Sequence, residues 1–255
     1  MSIRAATLRT RQRSGNDNPG GGWMISKERI VNGYEYFWEN VWDSSDDWER
    51  AGRGGLRELA LELLPTNPGR ILDLGCGNGI AMSMLDKRSI TAIGCDISLR
   101  ALKGARRHGD VARADGTRLP FRSDSFEHVL LLDALEHVVE KSLLVQECWR
   151  VLHNKGTIIL TTPHPEATGG LGDHRQPYDR PVPYSEIESM TDGLFRLRSA
   201  KGVFQARHFR GLARISGAIP MKFFASFPIL LDRSREILLV LEKTMTPGKA
   251  GKKLS

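Results

Sequence analysis

Apolar residues along the chain fall into short continuous runs separated by stripes with helical spacing. The runs cover residues 71–74, 90–95, 129–132 and 157–162, and turn or acidic residues follow each of them. The clearest stripe precedes the first run and consists of Leu56, Leu59, Ala60, Leu63 and Leu64. Short buried strands alternating with amphipathic helices predict an α/β fold with a parallel sheet covered on both faces.

A glycine-rich turn follows the first predicted strand. Gly75, Gly77 and Gly79 alternate with other residues, and the helix that follows begins near Asn78. A strand, a glycine turn and a helix present backbone N–H groups and a positive helix end to a nucleotide-like ligand. The dinucleotide-binding pattern G-x-G-x-x-G would need glycine at position 80, where the chain has Ile80, so the spacing argues against NAD(P).

An acid also ends the second predicted strand. Asp96 closes the run 90–96, and a carboxylate there can accept hydrogen bonds from both hydroxyls of a ribose. A helix N-cap is the alternative for this position, and Ser98 could cap the same helix. Asp96 therefore predicts a ribose-containing ligand without choosing the cofactor.

Two motifs carry a resemblance to a known family. The spacing of Asp73 and the three glycines resembles motif I of the class I S-adenosylmethionine (SAM) dependent methyltransferases. The stretch from Asp115 to Phe121, then Ser125-Phe126-Glu127, then the Leu-Glu-His-Val sequence at 135–138, resembles the ubiquinone/menaquinone-biosynthesis-like methyltransferases (methyltransferase type 11). The resemblance covers about residues 70–165.

The resemblance implies a Rossmann-like, doubly wound, seven-stranded and mostly parallel sheet with an antiparallel last strand and helices on both faces. It implies SAM as cofactor, with Asp73 at the amino-acid end and Asp115 on the adenine amino group. The cofactor residues that we predict are Asp73, Gly75, Cys76, Gly77, Gly79, Asp96, Ile97, Asp115, Gly116, Thr117, Leu132 and Asp133.

Three histidines are candidates for removing a proton from an oxygen acceptor. In order of preference these are His164, His137 and His174; His137 could also be a structural residue that closes the loop after the fourth strand. The long polar loop from Glu166 to Pro183 is where we expect the acceptor to be recognised. No cysteine or histidine spacing predicts a metal site.

The flanks of this core divide the chain further. We expect a disordered basic tail at 1–22, with translation starting at Met1 or at Met24, and a helical lid segment at 23–64. The SAM-binding domain would span 65–243 and include an apolar insertion at about 205–233. A second disordered basic tail would span 244–255. The insertion is interpreted as a helical cap, or else as an acceptor pocket or a peripheral membrane contact through 212–231.

Charge and cysteine content restrict the partners. The net charge is +7, but the excess lies mainly in the two tails, and a nearly neutral body weighs against a nucleic-acid partner. The three cysteines suit a reducing cytoplasm. We therefore predict a cytoplasmic protein, with peripheral membrane contact as the alternative, and leave its oligomeric state open.

The function predicted from the sequence is methyl transfer from SAM to a small or medium-sized acceptor, with an apolar or lipid-like acceptor and O-, N- or C-methylation left open. The alternatives are an RNA or protein methyltransferase, or a SAM-binding regulator without catalysis. The segment after the fourth strand lacks the Asp/Asn-Pro-Pro-aromatic motif of nucleic-acid amino-methyltransferases and begins Asp133-Ala134-Leu135 instead.

Overall fold

One mixed sheet organises the described part of the chain. The computed structural model describes residues 26–40, 54–165, 178–205, 222–225 and 236–245. The strands are β1 (Ile71–Leu74), β2 (Ala92–Asp96), β3 (Val111–Arg113), β4 (Phe126–Leu132), β5 (Leu152–Pro163), β6 (Phe195–Gln205), β7 (Lys222–Ala225) and β8 (Glu236–Lys243). Their order across the sheet is β3-β2-β1-β4-β5-β8-β6-β7.

Five neighbouring strands, from β3 to β5, run parallel, and β8 joins β5 in antiparallel orientation. Strand order reverses at β1, which pairs with β2 on one side and β4 on the other. Open α/β sheets bind ligands outside the carboxyl ends of their strands at such a reversal. The topology therefore places the ends of β1, β2 and β4 around one crevice, and the predicted fold class is confirmed.

Helices cover both faces of the sheet. They are α1 (Lys27–Asn40), α2 (Gly54–Glu62), α3 (Ile80–Asp86), α4 (Leu99–Ala105), a 3₁₀ turn (Leu135–His137), α5 (Lys141–Val151) and α6 (Tyr184–Thr191). The two helices α1 and α2 lie within the segment 23–64 that we predicted to be helical. None of the helices in the described ranges has the length and apolar character needed to cross a membrane.

Alternate residues of the central strands build two separate hydrophobic layers. In β4, Val129 and Leu131 pack with α5 and α6, whereas Leu130 and Leu132 pack with α2, α3 and α4. Because side chains of a strand point alternately to opposite faces, a continuous apolar run is what a strand buried on both faces requires. This explains why the strands could be read from unbroken apolar runs.

Two expectations differ from the structure. The apolar run predicted the fifth strand at 157–162, but β5 begins at Leu152. The extra residues form a bulge opposite Phe126–His128, with Lys155 at φ 63°. An eighth strand, β7, lies within the insertion at 205–233 and pairs with β6, where we had expected a helical cap. The rest of that insertion, including most of the apolar segment 212–231, lies outside the described residues.

Candidate functional site

A cleft opens at the carboxyl ends of β1, β2 and β4. Its floor is the glycine turn, and its cover is α1, which contributes Ile30, Tyr34, Phe37 and Trp38. The cleft encloses about 1200 Å³ when the open solvent at its mouth is included. Its lining combines polar groups at the strand ends with apolar side chains of α1.

The glycine turn needs glycine for backbone conformation and for close approach. Gly77 has φ 55°, and a Cβ added to it would lie 2.8 Å from the ring of Trp38. Gly79 has φ 87°, and its added Cβ would lie 2.5 Å from the Cα of Ala105 in α4. One glycine therefore lets α1 approach the turn, and the other lets α4 pack against it.

The turn does not present its N–H groups to a ligand as we had expected. Those of Gly75 and Cys76 both donate to the carbonyl of Cys95, and that of Gly77 donates to the carboxylate of Asp96. The N–H of Gly79 donates back to Cys76. The turn wraps around the end of β2, which satisfies these donors internally, so a ligand in the cleft must be held mainly by side chains.

Asp96 lies at the end of β2 and lines the cleft. Its Oδ2 accepts from Gly77 N–H and its Oδ1 from Ser98 N–H, both at 2.9 Å. Ser98 also caps α4, since its hydroxyl accepts from Ala101 N–H. Burial raises the pKa of Asp96, although these backbone N–H groups act against the shift. Each oxygen keeps a lone pair for a further donor such as a ribose hydroxyl.

Asp115 lines the far end of the cleft beside Gly116 and Thr117. Its Oδ1 accepts from the N–H and the hydroxyl of Thr117, and its Oδ2 accepts from Lys27 Nζ at 3.2 Å. Burial alone would raise the pKa of this carboxyl, but these donors together lower it. Lys27 also lies 3.3 Å from Glu140, so α1 is tied to both sides of the mouth.

Asp73 lies at the base of the site and is only 3% exposed. Its Oδ2 is buried without a hydrogen-bond partner among the described residues. Burial raises the pKa of Asp73 to about 7, Arg57 lowers it and Asp96 raises it. A buried carboxylate oxygen without a donor is costly, so this atom is suited to a cationic or N–H donor from a ligand.

Arg57 was missed by the sequence analysis. It extends from α2 into the cleft, where its Nη2 lies 3.8 Å from Oδ2 of Asp133 and its side chain is 12% exposed. Asp133 follows β4 with φ 53°, and its N–H donates to the carbonyl and the hydroxyl of Thr161. A guanidinium buried beside carboxylates suits a negatively charged ligand group.

The predicted cofactor residues come together almost completely. Asp73 is buried behind the turn, and Gly79 faces α4, so neither is among the residues that line the cleft. Those that do line it are Gly75, Cys76, Gly77, Asp96, Ile97, Asp115, Gly116, Thr117, Leu132 and Asp133.

His137 also lines the cleft. Its Nδ1 is 2.9 Å from the carbonyl of Tyr178, and because a carbonyl can only accept, Nδ1 carries the proton in this bond. Its Nε2 is 3.6 Å from Oε1 of the buried Glu136, and Asp179 lies 4.0 Å from Nδ1. The surroundings therefore fix the orientation of the ring and hold a proton on Nδ1.

The other candidate histidines have different positions. His164 follows β5, is 4% exposed and is not among the residues that line the cleft. His174 lies outside the described residues. Of the candidates that the structure describes, the geometry thus favours His137 over His164, which reverses our order of preference.

Comparison with known proteins identifies the core of the chain. Residues 72–160 match the family described as "Methyltransferase domain". A ubiquinone biosynthesis O-methyltransferase of Paracidovorax citrulli is 29% identical over 111 residues, 39% of this chain and 46% of that protein. A demethylmenaquinone methyltransferase of Beutenbergia cavernae is 32% identical over 108 residues, 41% of this chain and 45% of that protein.

This core is a class I SAM-dependent methyltransferase domain.

The methyltransferase domain has relatives with different acceptors. An 18S rRNA (guanine-N(7))-methyltransferase of Schizosaccharomyces pombe is 37% identical over 87 residues, 32% of each chain. The chain spans less than half the length of each of these three relatives. The matched segment 72–160 contains the predicted cofactor residues, so the similarity does not identify the acceptor.

Solved structures confirm the fold of the methyltransferase domain. A Thermotoga maritima SAM-dependent methyltransferase, described as a possible histamine N-methyltransferase, superposes with a TM-score of 0.62 at 18% identity and covers 82% of this chain and 99% of its own. The [4+2]-cyclase SpnF superposes with a TM-score of 0.56 at 18% identity and covers 85% of this chain and 93% of its own. At this identity the likeness concerns the fold alone.

The residues of the cleft fit SAM, the cofactor of such domains. The unpartnered oxygen of Asp73 suits an ammonium, Asp96 suits a ribose, and Asp115 suits an amino group on a base. Two of these carboxylates line the cleft, and the third lies buried behind the glycine turn. Together they complement a ligand that offers hydrogen-bond donors and positive charge at several points.

Proposed function

We propose that this protein transfers the methyl group of SAM to a small or medium-sized acceptor of apolar or lipid-like character. The observation that carries the proposal is the continuity of the cleft. Asp96 and Asp115, which suit the cofactor, line the same cleft as His137 and the aromatic side chains of α1. A shared cleft would bring both reactants together.

Arg57 and Asp73 would hold the two charges of the methionine tail. Asp73, buried behind the glycine turn, offers an unpartnered acceptor for the ammonium. Arg57, whose charge acts on Asp73, lines the cleft and offers a guanidinium for the carboxylate. Replacing Arg57 with glutamine should weaken SAM binding by about tenfold or more, since hydrogen bonds between charged groups contribute about 1.5–3 kcal/mol. Arg70→Gln, at an arginine with a 61% exposed side chain, is the matched control.

The sulfonium already activates the methyl group, so positioning is the main requirement. An acceptor atom must lie about 3 Å from the methyl carbon and in line with the sulfur. Tyr34 and Phe37 are buried against the cleft, and Ile30 and Val139 line it, which suits the apolar face of an acceptor. The names of the quinone methyltransferases among the relatives point in the same direction.

For an oxygen acceptor, we assign proton removal to His137. In the neutral ring with the proton on Nδ1, Nε2 has the lone pair that accepts the proton. Asp179 beside Nδ1 and Glu136 beside Nε2 would both stabilise the imidazolium that forms. Of the two, Asp179 lies on the side of the ring that the carboxylate of a catalytic triad occupies. A positioned base of this kind contributes about 10²–10⁴-fold in rate.

The test uses SAM with a labelled methyl group, the full-length protein, and separate lipid, small-molecule and RNA fractions. Label should enter the lipid or small-molecule fraction. His137→Ala should lower turnover of an oxygen acceptor by about 10²-fold or more while keeping SAM affinity. His153→Ala, at a histidine that does not line the cleft, should leave turnover unchanged.

Other outcomes separate the alternatives. Label that enters only RNA or protein would contradict the acceptor class, and the rRNA methyltransferase among the relatives makes RNA the fraction to include. SAM binding without transfer to any fraction would favour a regulator. Calorimetry showing NAD binding and no SAM binding would contradict the proposal as a whole.

A further inference from the structure

Helix α1 lies over the cleft and contacts both the glycine turn and the segment around His137. Trp38 packs against Gly77 of the glycine turn so closely that an added Cβ would lie 2.8 Å from its ring. The hydroxyl of Tyr34 lies 3.2 Å from the carbonyl of His137 and 3.1 Å from that of Tyr178. A ligand bound between the turn and α1 therefore has this helix as its cover.

The opposite side of α1 is attached through one carboxylate. Oε1 of Glu35 accepts from Leu99 N–H at 2.8 Å, and Oε2 accepts from the hydroxyl of Ser98 at 3.0 Å and from Arg100 N–H at 3.1 Å. Arg113 Nη2 adds a fourth donor at 3.3 Å. A residue of α1 thus satisfies the free N–H groups at the start of α4, which is distant in sequence.

This contact differs from an ordinary surface ion pair. Two of its donors are backbone N–H groups of a helix start, which are fixed in place, and the side chain of Glu35 is only 24% exposed. Burial alone would raise the pKa of Glu35, but the N–H groups of Leu99 and Arg100, with Ser98 and Arg113, lower it. The carboxylate form is therefore the one that this site holds.

The contact between Glu35 and α4 is also linked to Asp96, the carboxylate to which we assign the ribose. Ser98 donates its N–H to Asp96 and its hydroxyl to Glu35, so one residue connects the cofactor site with the cover. One turn further along α1, Glu39 lies 2.7 Å from Arg100 and supports the same contact. Movement of α1 away from the cleft would have to break this set of bonds.

We propose that Glu35 is a positioning residue that clasps α1 over bound SAM and sets how fast the cofactor leaves. This assignment rests on the proposed function, because the cofactor is taken to be SAM. Glu35 touches neither reactant in this scheme. It acts through Ser98 and the start of α4, and it keeps Trp38 and Tyr34 against the cleft.

The test compares Glu35→Ala, Glu35→Gln and the control Glu28→Ala in the full-length protein. Glu28 lies in the first turn of the same helix and is exposed. SAM dissociation is followed by stopped-flow tryptophan fluorescence, SAM affinity by calorimetry, and folding by thermal melting. Amide hydrogen exchange of residues 27–40 is measured in the SAM complex.

Glu35→Ala should raise the dissociation rate and the Kd together by about tenfold, because hydrogen bonds to charged groups are among the stronger ones. Exchange in α1 should rise with them. The dissociation rate and Kd of Glu35→Gln should lie between those of Glu35→Ala and wild type, since its amide keeps one acceptor but no charge. This variant also tests the proposal if the alanine variant does not fold. Glu28→Ala should match wild type.

Dissociation rates in both Glu35 variants equal to that of wild type would overturn the clasp alone and leave the proposed function in place. A melting temperature lowered equally in all three variants, with no change in dissociation, would also overturn it. Absence of SAM binding by the wild-type protein would overturn the proposed function and this assignment with it.

Discussion

The affinity for SAM should depend on pH through Asp73. Burial raises the pKa of this carboxyl to about 7, so it is largely protonated and neutral below that pH. A neutral carboxyl cannot form an ion pair with the ammonium of the methionine tail. Binding of the ammonium should therefore require ionised Asp73, and affinity should rise as pH increases toward 7.

The size of the effect follows from linkage. If the bound ammonium returns the pKa of Asp73 toward its ordinary value, affinity falls by up to about tenfold for each pH unit below 7, since one pKa unit corresponds to about 1.36 kcal/mol. Above 7 the affinity should level off, and it should fall again once an α-amino group loses its proton at about pH 7.7–8.0. The expected profile has a maximum between these limits.

Calorimetry with SAM between about pH 5.5 and 8.5 measures this profile. This pH range spans the ionisation of Asp73 and that of an α-amino group. Asp73→Asn should lose the acidic limb and keep the basic one, because asparagine does not titrate. Adenosine, which lacks the methionine tail, should show neither limb. An acidic limb of the same slope in Asp73→Asn would refute the assignment of the ammonium to Asp73.

Stability measurements on the ligand-free protein test three other features. The folded-state pKa of Asp73 is raised from 3.8 to about 7, so the protonated carboxyl contributes its full stability below pH 3.8 and this contribution is lost as pH rises toward 7. Urea unfolding of Asp73→Asn at several pH values should lack this loss. A variant with the same pH profile as wild type would contradict the prediction. Gly79→Ala should cost at least about 2 kcal/mol, from the left-handed backbone and the contact with Ala105; unchanged urea unfolding would contradict this. Lys243→Met should cost about 1–3 kcal/mol, because the buried Nζ bonds the carbonyl of Leu152, and an unchanged melting temperature would contradict it.

The parallel strands could be predicted from the sequence, and most of the predicted cofactor residues line one cleft, because both follow from local pattern. A continuous apolar run marks a strand buried on both faces, and the residue after such a strand reaches the same edge of the sheet as its neighbours. Asp96, Asp115 and Asp133 follow β2, β3 and β4 in this way, and all three line the cleft.

Residues that act across long sequence separations could not be predicted. Arg57 lies within a helix whose apolar stripe explains its packing, and only the tertiary fold shows that its side chain reaches Asp133. An arginine beside the buried stripe of α2 was the available signal. Glu35 likewise was one acid among several in an aromatic segment, and its contact with the start of α4 depends on how α1 docks.

The glycine turn shows a different limit. Its spacing predicted the turn correctly, but the N–H groups of Gly75, Cys76 and Gly77 bond to β2. Sequence specifies that a turn can adopt left-handed conformations, whereas the partner of each N–H depends on the neighbouring strand. The edge strand β7 was missed because the apolar residues around it do not repeat with the spacing of a strand or of a helix. Only its pairing with β6 shows that it is a strand.

The backbone conformation of Asp133 restricts which amino acids can replace it during evolution. At φ 53°, residues branched at Cβ are strained, whereas asparagine, aspartate and glycine are accepted. The side chain must also keep the bond between Oδ1 and the hydroxyl of Thr161, which glycine cannot make. Asparagine is therefore the substitution that this position can accept without a change in the local backbone conformation. It would remove the negative charge that faces Arg57.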